Sequence, residues 1–192
     1  MQAITINFGS LLKLSSEQFL QLCSLNRDIR MERNAQGEII VMPPTGAESG
    51  RCNANIIYHL YAWNSIKLTG VVFDSSTCFN LPNRADRSPD AAWISLERLN
   101  NLTETEKEVF APICPDFIIE LRSKTDNLKQ LQAKLQEYLD NGLRLGWLID
   151  PRQKIVEIYR QGKEVEVLEF PAIVSGEDVL PGFVLDLKGI FT

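Results

Sequence analysis

Two carboxylates lie where the chain otherwise reads as buried strand: Asp90, directly after Pro89 in SPDAAWIS, and Glu120 within PDFIIELR. A carboxylate buried without a partner is costly. A divalent cation offsets that cost well, because Mg²⁺ is commonly held by one or two carboxylates together with waters and phosphate oxygens. Strand alternation puts Asp90, Ala92 and Ile94 on one face of the first segment, and Asp116, Ile118, Glu120 and Arg122 on one face of the second. If the two segments pair, the acids converge. The competing readings are a turn residue at a strand entrance for Asp90, and for Glu120 a buried ion pair with Arg122 or a lysine.

A third acid, Glu48, stands one turn before Cys52 in a helix predicted from Ala47 to about Leu68, whose apolar stripe is Cys52, Ile56, Leu60 and Trp63. That spacing points Glu48 inward, as a further oxygen donor or as a group bonded to the other ligands. An acid in a first helical turn is also favoured simply by the helix dipole.

The elements that must position these groups are legible along the chain. Ser15-Ser16-Glu17-Gln18 before Phe19, Leu20 and Leu22 predicts a capped helix. IRMERN and EIIVM around Gln36-Gly37 predict a hairpin, read as a lid or flank. GVVFD, CFNLP and SPDAAWIS predict short strands, and the acidic NLTETEKEVF an irregular segment. PDFIIELR has apolar residues on both faces, as a strand buried between layers should. Asp126 is expected to cap a helix with the stripe Leu128, Leu131, Leu135 and Tyr138, ended by Asn141-Gly142 before the buried strand LRLGWLID. Strand, helix, strand implies a right-handed crossover. KIVEIYR and EVEVLEF form a hairpin around Gln161-Gly162, and LPGFVLDL closes the chain.

With 192 residues, 44% of them hydrophobic, the chain is expected to form one domain over 1–192. Scattered cysteines and a single histidine, His59, exclude a clustered zinc site and imply reduced, mostly buried thiols. No segment is apolar enough to span a membrane and no leader is evident at the start, so a cytoplasmic location is expected. A net charge of −5 with a pI near 5.0 argues against tight nonspecific binding of polyanions. A local basic groove remains compatible with it, and Arg84 and Arg87 read either as phosphate contacts or as solvated loop charges. The glycine-rich loop of enzymes acting on small phosphorylated molecules is missing.

RSPDAAWIS, PDFIIELRSKTD, AKLQEYLDNG and GWLIDP, in this order and spacing, resemble a bacterial family of restriction endonucleases within the PD-(D/E)XK superfamily, from roughly Leu14 through the hairpin after Pro151. MPPTGAESGR fits the entrance of that family's first helix. The resemblance implies an α/β fold with a restriction-endonuclease-like central mixed β-sheet flanked by helices, preceded by an N-terminal helix and β-hairpin. It implies Mg²⁺ (or Mn²⁺) on Asp90 and Glu120, with the backbone carbonyl of Leu121 as an added ligand, and hydrolysis of DNA by a homodimer. Glu48 matches the acidic position of the first helix. Arg122 stands where the superfamily has its lysine, and Lys134 in the next helix matches the family's replacement. Arg122 stays protonated, so it can add positive charge but cannot act as a base. Helical spacing puts Lys134 at the edge of the packed stripe, where it either reaches the metal site or snorkels to solvent. The alternative for the whole chain is an inactive DNA-binding or assembly module that keeps the nuclease fold.

Overall fold

The computed structural model describes residues 3–191; Met1, Gln2 and Thr192, the ends of the domain expected over 1–192, lie outside it. The short strand β1 (Ile4–Ile6) is followed by helix α1 (Ser16–Leu25) and the hairpin β2 (Arg30–Arg33) and β3 (Ile39–Met42). Ser15 caps α1 through the reciprocal box with Gln18 that the sequence announces. The long helix α2 (Ala47–Lys67) leads to β4 (Gly70–Asp74), two minimal strands β5 (Phe79–Asn80) and β6 (Asp86–Arg87), and β7 (Ala91–Ser95). A single-turn helix α3 (Leu96–Leu99) follows β7, and a second, α4 (Glu104–Lys107), interrupts the segment expected to be irregular. Then come β8 (Phe117–Leu121), α5 (Leu128–Asp140), β9 (Leu145–Asp150), the hairpin β10 (Ile155–Arg160) and β11 (Glu166–Glu169), and the closing pair β12 (Ile173–Ser175) and β13 (Val184–Asp186).

The central six-stranded sheet runs β11-β10-β9-β8-β7-β4. It is mixed, since β8 and β9 are parallel, as a helical crossover requires, and the other neighbours are antiparallel. One face carries Trp93, Phe117, Ile119 and Trp147 against α2 and the C-terminal strands; the other carries Ala92, Ile118 and Leu148 against α5. Gly146 lets α5 approach closely, because a Cβ there would lie 2.8 Å from Leu135 Cδ1 and 2.9 Å from Leu143 Cδ2.

The N-terminal hairpin is more than a flank. It is built into a second, five-stranded sheet of order β1-β3-β2-β6-β5. Its seat is the buried pair Arg33–Asp86 at 2.6 Å, with Asp86 also accepting from Asn80 at 2.7 Å. The expected cap of α5 also differs: Asn127 occupies it, while Asp126 accepts from Ser123 N in the preceding turn. All four cysteines are free, and Cys52, Cys78 and Cys114 are buried. Among the described residues no helix is long and apolar enough to cross a membrane.

Candidate functional site

Pairing of β7 with β8 brings the two sequence-marked acids together. Ala91 faces Ile119, so one further step along the register puts Asp90 opposite Glu120, on the face covered by α5. Directly opposed residues of an antiparallel pair hold their Cβ atoms about 5 Å apart. Asp90 Oδ2 accepts from Leu121 N at 2.8 Å, and Asp90 Oδ1 from Asn53 Nδ2 at 3.3 Å. Lys134, on the inner side of α5, places Nζ 2.7 Å from Glu120 Oε1 and 2.8 Å from Glu32 Oε1, and donates to Ser88 O at 3.2 Å. Its head is therefore buried, contrary to the snorkelling alternative.

Around this centre runs a wider ionic network. Glu32 accepts from Arg87 at 3.0 Å and from Ser88 N at 3.0 Å, and Arg87 Nε reaches Glu137 at 2.6 Å. Arg87 is thus buried in the network, which corrects its solvated-loop reading. Glu32, Glu137 and Asn53 were not marked by the sequence reading. Glu32 sits in the charged strand RMER, which carries no apolar alternation to reveal an inward face. Glu137 had a weak signal, lying three residues after Lys134 on the same helix.

Two expected participants stand elsewhere. Glu48 is not turned inward: its side chain is 64% exposed and pairs with Arg51 at 2.5 Å, because the packed stripe of α2 begins only at Cys52. Arg122 lies beyond the end of β8, where its guanidinium is held by Asp150 at 2.6 Å and borders a small hollow with Arg152 and Gln153. It is therefore not a second positive charge at the carboxylate pair. Glu48→Ala is expected to shift stability by less than about 0.5 kcal/mol, as for other exposed pairs. Chemical denaturation checks this, and a loss of several kcal/mol would contradict the exposed placement of Glu48.

The electrostatics of the cluster are uneven. Burial, reinforced by Asp90 and Glu32 and opposed by Lys134, pushes the Glu120 carboxyl up to about 8. Burial also raises Asp90, against the Leu121 N–H and Lys134. For Glu32 burial acts in the same direction, but Lys134 and Arg87 outweigh it and hold the group below its ordinary value. Burial would lower Lys134, yet Glu120 and Glu32 dominate and raise it, so it remains a cation. Four acidic groups (Glu32, Asp90, Glu120, Glu137) thus surround two cations, Arg87 and Lys134, with Arg30 also acting on Asp90.

The deficit of positive charge faces a cavity of about 960 Å³ between the N-terminal sheet, the tip of the central sheet and α5. A carboxylate offers about four lone-pair sites, so the bonds from Leu121 N and Asn53 do not exhaust Asp90, and the contact with Lys134 does not exhaust Glu120. The donor set fits a hard divalent cation: two opposed carboxylates at the cavity wall, with Leu121 lining the same wall. Among the described residues no group of three or more His, Cys, Asp and Glu side chains is arranged to hold a metal, so any ion here relies on the pair plus other oxygens.

A family model described as "Uma2: Putative restriction endonuclease" matches residues 16–188. The chain belongs to the Uma2 family. Of solved structures, one described as "a putative nuclease belonging to DUF820 from Anabaena variabilis ATCC 29413" is 22% identical, with a TM-score of 0.78, over 93% of this chain and 97% of that one. At that identity the likeness speaks for the fold: a restriction-endonuclease-like mixed sheet flanked by helices. No curated protein matches the chain. In Uma2 terms, the matched span contains the acid pair, the lysine helix and the hairpin that carries Glu32.

Proposed function

We propose that this Uma2 protein is a metal-dependent endonuclease that hydrolyses DNA phosphodiester bonds. The observation that carries the reading is the opposition of Asp90 and Glu120 across β7 and β8, with Lys134 against Glu120. Asp90, Glu120 and the Leu121 carbonyl would hold Mg²⁺ or Mn²⁺. Such an ion activates water and neutralises charge on a scissile phosphate. The chain's own groups do the rest. The Leu121 N–H and Asn53 keep Asp90 oriented. Lys134, held protonated and fixed by Glu120, Glu32 and Ser88, keeps a positive charge beside the acid pair, where it would offset the negative charge that builds up in the transition state. It serves as a charge stabiliser, because an ammonium with a raised pKa is a poor base.

Conversion of supercoiled plasmid to nicked and linear forms in Mg²⁺ or Mn²⁺, and its absence in EDTA, tests the proposal. No cleavage with either ion on any DNA would overturn it. A second reading, an inactive nuclease-fold module, draws support from the acidic pI and from the excess of carboxylates around the cavity. Stoichiometric metal binding lost in Glu120→Gln speaks against that reading, and cleavage eliminates it.

The raised Glu120 carboxyl adds a pH signature. Between its ordinary value of 4.5 and about 8, the folded metal-free protein keeps a proton that the unfolded chain has released. Metal-free stability is therefore lost as pH rises through that window, by at most about 1.4 kcal/mol per pH unit for one proton. A cation bound at Glu120 would take the place of that proton. Saturating Mn²⁺ is expected to raise the melting temperature more at pH 8.5 than at pH 6, and equal gains at both would remove Glu120 from the linkage.

A further inference from the structure

Asn53 lies in the second turn of α2 and reaches the site across the end of the sheet, from the side opposite α5. A carboxylate only accepts hydrogen bonds, so the bond to Asp90 Oδ1 assigns the amide nitrogen to that contact and leaves the amide oxygen for another partner. That oxygen, Oδ1, is buried and has no hydrogen-bond donor among the described residues. A buried acceptor left in this state is uncommon in a native fold and calls for a water or an ion. Asn53 also lines the same cavity as Asp90 and Glu120. Amide oxygens are hard donors of the kind that divalent cations take alongside carboxylates.

We infer that Asn53 Oδ1 is a third protein oxygen donor toward the cation held by Asp90 and Glu120, filling from α2 the place that Glu48 leaves. The inference rests on the metal-dependent reading above. It makes α2 part of the centre, joined to the strand tip through one side chain that bonds Asp90 with its nitrogen and serves the ion with its oxygen. Asn55, two residues on, supplies an internal control. Its Oδ1 is likewise buried without a donor, but the residue does not line the cavity and its amide lies beside Gly189.

The test is Mn²⁺ titration of the full chain, followed by calorimetry and by the spin resonance of free Mn²⁺, with melting temperatures measured without metal. Glu120→Gln is expected to abolish the site. Asn53→Ala is expected to weaken Mn²⁺ by about 10 to 100-fold, the usual loss when a supporting group of a metal is removed, while Asn55→Ala binds as wild type. Asn53→Asp should match or exceed wild-type affinity and widen the gap between metal-free and Mn²⁺-loaded melting temperatures, since its added charge repels Asp90 until a cation arrives. Unchanged affinity in Asn53→Ala, with Glu120→Gln still null, overturns the role of Asn53 and leaves the acid pair intact. Failure of wild type to bind Mn²⁺ overturns both. If Asn53→Ala does not fold, weaker binding by Asn53→Asp than by wild type overturns the inference.

Discussion

Asp90→Asn and Glu120→Gln are each expected to lose Mg²⁺-dependent plasmid nicking by more than about 100-fold, the loss that even the indirect partners of a metal can cause, while retaining native circular dichroism. Both changes keep the side-chain shape and remove one negative charge. The carboxamide oxygen introduced by Asp90→Asn can still accept from Leu121 N, and the one introduced by Glu120→Gln can still accept from Lys134, so the local frame survives. What disappears is the paired charge that the β7–β8 register sets face to face. Lys134→Ala is the less informative choice, since it leaves Glu120, at 5% exposure, without the ammonium it shares with Glu32, while Glu32 keeps Arg87. The cost of an uncompensated buried charge, about 3–5 kcal/mol, would then obscure any catalytic effect. Wild-type nicking rates in either carboxamide variant would remove the pair from the chemistry.

The second large effect concerns the seat of the N-terminal sheet. Arg33→Ala is expected to destabilise the protein by about 3–5 kcal/mol, because it leaves the carboxylate of Asp86, 0% exposed, without its guanidinium. The same guanidinium donates to Leu14 O, to Ser16 Oγ and Arg84 O at 3.0 Å each, and lies over the Phe19 ring, so α1 and the loop before β6 loosen with it. Burial already raises the Asp86 carboxyl against the pull of Asn80 and Arg33. Losing Arg33 raises it further, so the destabilisation should shrink as pH falls and Asp86 takes up a proton. Urea unfolding at pH 7.5 and pH 5 measures both quantities, and a cost below about 1 kcal/mol at pH 7.5, the scale of an ordinary surface pair, would contradict the anchoring role. Glu32 is the adjacent residue on β2, so slackening here should also reach Lys134.

The sequence was most legible where burial and local chemistry coincide. PDFIIELR and LGWLID are apolar enough to be interior strands, and an acid in such a strand declares itself because its neighbours cannot hydrate it. Ser15 with Gln18, and Asn141 with Gly142, mark helix ends through bonds only a few residues long. Glu48 misled for the opposite reason. Its spacing from Cys52 fits the stripe, but which turn of an amphipathic helix first meets the core depends on where the sheet ends, and Glu48 projects past that edge toward Arg51 and solvent.

Residue types and short-range periodicity were thus sufficient for the strands, the helices, the shared face of Asp90 and Glu120, and the family likeness. The tertiary structure decided which partners meet. Glu32 and Lys134 lie 102 residues apart, Asn53 and Asp90 37 apart, and Arg122 turns to Asp150 instead of Glu120. Contacts at such separations depend on how two sheets and two helices close over one strand end, and no local pattern encodes a distance that only this packing creates.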